Sequence, residues 1–221
     1  LENINHTIFI STCSNYGLSS SSSELNEASP LNPLSLYAKA KVSIEQSILN
    51  LNFKKNFHPT IFRFATAFGL SDRMRFDLTI NEFIRDLYFG KELQVYDPET
   101  WRPYCHIKDF AEIILRSLFM PRETIAFEVF NAGSNKNNYS KKNIVEKILN
   151  YIPNGKISYV KGGFDKRNYV VNFDKLKKIF GYEPLINIEF AVNEIINFLK
   201  SNNYKESSLY GNFLIKSPLN D

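Results

Sequence analysis

Thr7-Ile8-Phe9-Ile10-Ser11-Thr12-Cys13-Ser14-Asn15-Tyr16-Gly17 begins as an apolar, β-branched run and closes on a polar turn. That pattern predicts a buried strand running into a loop, with the hydroxyl of Thr12 at the strand end. About twenty residues on comes Tyr37-Ala38-Lys39-Ala40-Lys41, the start of a stretch free of Gly and Pro as far as Leu51. A Tyr and a Lys four positions apart lie on one face of a helix. A free tyrosine, with a pKa of about 10, is a poor base at neutral pH, and a neighbouring ammonium favours the phenolate. Thr12, Tyr37 and Lys41 are therefore candidates for an acid/base relay beside a carbonyl or an alcohol. Such a relay suits hydride transfer with a nicotinamide.

Outward from this pair, strands and helices alternate. Short apolar runs predict strands at 60–65, 93–96, 128–130 and 157–160. Helical spacing and caps predict helices over 37–51, 76–89, 108–119, from Ser140 to 151, 174–180 and 188–199. This order argues for an α/β fold with a mainly parallel sheet. Residues 18–33 hold a serine tract and two prolines and read as a loop, and the periodicity fades after Ser201.

Composition narrows the function classes. The 221 residues are 43% hydrophobic and 23% charged, so the chain can build a core and is not disordered. The net charge of +4 comes from scattered lysines, which argues against a nucleic-acid partner. No apolar run approaches the roughly 20 residues of a membrane span, and the first residues show no secretory signal. A cytoplasmic protein with free thiols at Cys13 and Cys105 is expected. The three histidines have no companions at metal-ligand spacing, so no metal site is expected.

Further segments carry a resemblance. They are Pro33-Leu34-Ser35-Leu36-Tyr37, Arg63-Phe64-Ala65-Thr66-Ala67-Phe68-Gly69, and Trp101-Arg102-Pro103-Tyr104-Cys105-His106-Ile107-Lys108-Asp109. Val129-Phe130-Asn131-Ala132-Gly133, Asp165-Lys166-Arg167-Asn168-Tyr169 and Gly181-Tyr182-Glu183-Pro184 follow in order. With the Thr–Tyr–Lys set, the chain from about 7 to 199 resembles the extended short-chain dehydrogenase/reductases that act on nucleotide sugars, the NAD-dependent epimerase/dehydratase family. The resemblance implies an incomplete Rossmann-type parallel sheet at 1–70 and 105–133. It implies a smaller nucleotide-sugar lobe at 71–104 and 134–200, and a tail at 201–221.

The resemblance also implies roles. Tyr37 is the acid/base, Lys41 its partner and a ligand of the nicotinamide ribose, and Thr12 orients the sugar oxygen. The backbone at Ala65 passes close to the nicotinamide. Thr66 stands where many relatives carry an Asn that binds the sugar nucleotide. Arg102 and Arg167 meet the diphosphate, and they are expected to share a cleft without an acidic partner, awaiting an anion. Asp77 and Asn81 touch the base or cap a helix, while Gln94 and Tyr96 line the same pocket. Asp109 caps the following helix and His106 is a packed histidine. The implied cofactor is NAD or NADP, the substrate a nucleotide-diphosphate sugar, and the implied partner a second copy through the helix that starts at Tyr37.

None of the nine glycines forms a G-x-G-x-x-G fingerprint. The expectation is a truncated or split enzyme that binds NAD weakly on its own. Within the family, 4,6-dehydratases carry an acidic pair directly after the catalytic Thr, where this chain has Cys13 and Ser14. An epimerase or a 4-ketoreductase is therefore expected. The alternative is an inactive remnant that binds a nucleotide sugar or a partner chain.

Overall fold

A computed structural model describes residues 6–18, 24–51, 57–201 and 210–211. In chain order the elements begin with β1 (His6–Thr12), α1 (Leu36–Leu49), β2 (His58–Phe64), β3 (Thr66–Phe68) and α2 (Thr79–Tyr88). Next come β4 (Leu93–Tyr96), β5 (Trp101–His106), α3 (Ile107–Ser117), the short α4 (Arg122–Ile125) and β6 (Val129–Ala132). The chain continues through β7 (Asn138–Ser140), α5 (Lys141–Leu149), β8 (Ile157–Val160), α6 (Asp174–Phe180) and α7 (Ile188–Lys200). The α/β class and the parallel Rossmann-type sheet expected of the sequence are what the structure has.

The sheet that positions the site is parallel, in the order β1-β2-β6. Its register sets Thr12 beside Phe64 and Phe64 beside Ala132, so all three strands finish at one edge. Ligands of open α/β sheets bind beyond such carboxyl ends. Phe62, Phe130 and Phe180 meet on one side of this sheet, with ring centroids 5.2 to 5.8 Å apart, and Ile113 and Leu176 close the same core. A second core joins α2, α5 and α7 through Ile84, Ile148, Val192 and Ile195. A third, smaller cluster of Cys13, Tyr16, Ala65, Cys105, Tyr169 and Phe173 lies at the strand ends.

Local chemistry explains the boundaries. Ser35 caps α1, its hydroxyl accepting from the Ala38 N–H at 3.1 Å. Ser140 and Asn143 form a reciprocal capping box on α5. Gly181 ends α6 in the left-handed conformation, with φ 59°. One expected cap is corrected. His106, not Asp109, caps α3, its Nδ1 accepting from the Lys108 N–H at 3.2 Å. Asp109 lies inside the first turn and accepts from the Tyr182 hydroxyl at 2.6 Å and the Ile186 N–H at 3.0 Å. Its carboxylate is occupied in docking the segment before α7. His106 is fully buried, as a packed histidine should be.

Most of the expected tail lies outside the described residues. Tyr210 is described, and its carbonyl accepts from the Phe76 N–H at 2.7 Å. Among the described residues no helix is long and apolar enough to cross a membrane.

Candidate active site

A cavity of about 1270 Å³ opens over the ends of β1 and β2. Thr12, the last residue of β1, lines it and accepts from the Ser14 N–H at 3.1 Å. A hydroxyl has two acceptor sites and one proton, so its donor is free of that bond. Tyr37, the second residue of α1, lines the same cavity with 56% of its surface exposed. Lys41 stands one turn further along, between helix and sheet. Its ammonium donates to the Ile10 carbonyl at 2.8 Å and sits 5.7 Å from the centre of the Tyr37 ring. An ammonium has three donors, so two are not used by that bond. Ala65 and Thr66, at the end of β2 and the start of β3, complete this side of the wall.

The opposite wall is cationic. Arg102 comes from β5 and is buried, while Arg167 comes from the loop after β8. The expectation that they share a cleft without an acidic partner is corrected in its second half. Asp165 lies between them: Arg167 donates from Nε and Nη2 to its two oxygens at 2.9 and 2.7 Å. Arg102 Nη2 forms an ion pair with the same carboxylate. The loop makes this possible, because Asp97 accepts from the Gly162 and Gly163 N–H groups at 2.8 Å each and turns the chain back. Burial works to raise the Asp165 carboxyl, but the two guanidiniums prevail and hold it well below the usual carboxylate range.

Arg167 is also anchored across the cavity floor, its Nη1 donating to Ser14 Oγ at 2.9 Å. Arg102 is left less satisfied. Its Nε and Nη2 are buried without a hydrogen-bond acceptor among the described residues, the Asp165 contact lacking hydrogen-bond alignment. The lining carries four cations, Arg75, Arg102, Lys166 and Arg167, against the two carboxylates Asp77 and Asp165.

Other sequence candidates are placed differently. Asp77 lines the cavity but holds Arg75 through both oxygens, at 2.9 and 2.6 Å. Asn81 is buried away from the lining, accepting from the Gly69 N–H at 2.9 Å and donating to the Arg75 carbonyl at 3.0 Å. Gln94 and Tyr96 point together off the exposed face of β4, the Tyr96 hydroxyl donating to Gln94 at 3.2 Å, and neither lines the cavity. Sequence reasoning passed over Asp165 and Ser14 as parts of the site. The Asp-x-Arg spacing of 165–167 was a readable signal for the first.

Residues 2–133 match the NAD dependent epimerase/dehydratase family. The chain is 28% identical over 174 residues to UDP-glucuronate 4-epimerase of Thermodesulfobacterium geofontis, covering 77% of this chain and 52% of that protein. It spans about half the length of the curated relatives it matches. Among solved structures, dTDP-glucose 4,6-dehydratase of Bacillus anthracis in complex with NAD aligns with TM-score 0.75 and 26% identity, over 88% of this chain and 61% of the other. UDP-glucuronic acid 4-epimerase of Bacillus cereus, in complex with UDP-glucuronic acid and NAD, shares the fold with TM-score 0.76 at 23% identity. That alignment covers 89% of this chain and 62% of the other.

Proposed function

Because the chain belongs to the NAD-dependent epimerase/dehydratase family, we propose that its cavity is the acid/base and nucleotide-sugar half of an NAD(P)-dependent epimerase or 4-ketoreductase. The observation that carries this reading is one cavity with Thr12 and Tyr37 on one wall and the Arg102–Asp165–Arg167 cluster on the other. A nucleotide sugar joins a diphosphate to a ring bearing hydroxyls, which requires this pairing of functions.

In this reading, Tyr37 Oη moves the proton of one sugar hydroxyl, and Thr12 Oγ1 donates to the same oxygen. Lys41, 5.7 Å from the centre of the Tyr37 ring, turns its spare donors toward ribose hydroxyls. Arg102 and Arg167 take diphosphate oxygens, for which a guanidinium fork is suited. A bound nicotinamide supplies the hydride acceptor and donor. The residues present fit its ribose end, whereas the 221 residues contain no G-x-G-x-x-G to cradle a pyrophosphate.

Dehydration is disfavoured by the residues after Thr12. Cys13 is buried with its thiol donating to the Arg63 carbonyl at 3.1 Å, and burial pushes the thiol pKa up. Ser14 is held by Arg167. Neither offers a carboxylic acid for the elimination of water. The same reading assigns 1–70 and 105–133 to the cofactor side and 71–104 with 134–200 to the sugar-nucleotide lobe.

The test is titration and turnover with UDP-sugars in the presence of NAD or NADP. Tyr37→Phe should leave UDP affinity within about two-fold and lower turnover by about 10²–10⁴-fold, the usual contribution of a positioned acid/base. Equal turnover by the variant removes the assignment. UDP binding without turnover by the parent favours a binding role.

A further inference from the structure

Helix α1 carries Tyr37 and Lys41, yet it is attached to the protein in an unusual way. Of its fourteen residues only Ala38 and Glu45 are buried. Leu36, Ile44 and Leu49 are exposed. A helix in a globular protein is normally held by an apolar stripe against the core, and here the inward face has only Ala38 and the half-buried Val42 and Ile48 beside Glu45.

A buried carboxylate completes that face. Glu45 is 1% exposed and pairs with Arg63 of β2, itself 5% exposed, at 2.7 Å. Arg63 Nε also donates to both carboxylate oxygens, at 3.2 and 3.1 Å. The Ser11 hydroxyl of β1 donates to Glu45 Oε1, and Asn15 Nδ2 donates to the same oxygen at 2.8 Å. One side chain of α1 thus reaches β1 at the residue before Thr12, the turn that follows, and β2 two residues before Ala65. Arg63 extends the network to the Tyr16 hydroxyl at 3.2 Å.

We infer that Glu45 is the positioning residue of the acid/base helix, setting its rotation and height so that Tyr37 stands beside Thr12 on one wall of the cavity. Glu45 follows Lys41 by four residues and Tyr37 by eight, so the three share one helix face. Fixing Glu45 from three directions fixes that face. The Lys41–Ile10 bond is a second tether nearer the helix start, and two tethers on one face determine the orientation. A buried ion pair is a poor source of stability, since well-packed apolar replacements are often as stable or more so. Placement is the property such a pair supplies and an apolar pair does not. The inference rests on the acid/base reading above for its consequence in catalysis, but the tethering itself is measurable without turnover.

The discriminating variant is Glu45→Met with Arg63→Met, which removes both charges together. In the full chain we expect an unfolding midpoint equal to or above the parent's. Amide hydrogen exchange in α1 should become about ten-fold faster or more, with β2 and α7 unchanged. For UDP-glucose and NAD, kcat should fall about 10²-fold with KM unchanged, the scale expected for a misplacement of about 1 Å. Unchanged exchange in α1 overturns the inference. So does faster exchange across the whole molecule with a lowered midpoint, because the pair then holds the fold and not the helix. Local loosening with kcat intact also overturns it. If α1 loosens locally and the parent shows no turnover even at saturating NAD, the tethering stands and the Thr12–Tyr37–Lys41 reading fails. Should the double variant not fold, Ser11→Ala cuts only the tether to β1 and must give the same pattern at smaller size. Unchanged α1 exchange in Ser11→Ala then overturns the inference.

Discussion

Replacing Arg102 by alanine tests the cationic wall most directly. Four cations face two carboxylates around the cavity, so the lining carries a surplus of about two positive charges, and the substitution halves it. Among the described residues Arg102 Nε and Nη2 have no hydrogen-bond acceptor, and the substitution removes the ion pair of Nη2 with Asp165. Asp165 keeps its two bonds from Arg167. The fold should therefore tolerate the change. A hydrogen bond to a charged group contributes about 1.5–3 kcal/mol, which corresponds to a loss of roughly 10- to 150-fold in affinity for UDP. Calorimetric titration of UDP into parent and variant at low and moderate salt measures it. The variant should also show the shallower salt dependence, having one charge fewer to screen. Affinities equal within two-fold at low salt would refute the placement of the diphosphate against this wall.

Other consequences are read from the same geometry. Gly69 has φ +103°, and a Cβ there would lie 2.1 Å from His106 Nε2, the atom that bonds Glu194 at 2.6 Å. Gly69→Ala should cost about 3 kcal/mol from backbone strain and overpacking, seen as a thermal midpoint roughly 6–12 °C lower. Unchanged melting would mean that the loop repacks freely. Gly133→Ala meets the Phe173 ring at 2.6 Å at the strand ends and should lower stability and UDP affinity together, as followed by melting with and without UDP. Asp165 is held below the ordinary carboxylate range in the folded chain. Its contribution to stability is therefore complete above the unfolded-state pKa of about 3.9 and is lost as the pH falls through the depressed folded value. The melting difference between the parent and Asp165→Asn should accordingly shrink as the pH is lowered from 5 toward 2; a difference that grows would show that the carboxylate is not stabilised by its arginines.

The placement of Thr12, Tyr37 and Lys41 was legible because each part is written locally: a β-branched run ending at Thr12, and two side chains one helical turn apart. The start of α5 was legible for the same reason, through Ser140. What was missed depends on distant pairing. β5 contains Pro103 and takes its strand form from Thr66–Phe68 on one side and Asn138–Ser140 on the other, both too short to show a period. The Asp165–Arg102 contact joins two loop-and-strand positions that no spacing rule connects. Gln94 and Tyr96 were assigned to the pocket through resemblance, although the alternation of β4 puts Leu93 and Val95 inward and those two outward.

Arg63 is the most instructive case, because the signal was present and its meaning was not. An arginine within the apolar run from Thr60 to Ala65 cannot be buried in a parallel sheet without a carboxylate to meet it. The sequence offers many acids, and only the crossing of α1 over β1 and β2 selects Glu45. The inward face of α1 combines Glu45 with Ala38 and the half-buried Val42 and Ile48, while Ile44 and Leu49 are exposed. A polar contact thus completes an inward face that small and half-buried apolar residues share. A buried ion pair is often no more stabilising than a well-packed apolar pair, and its consequence at this cavity, on the acid/base reading, is the alignment of Tyr37 with Thr12.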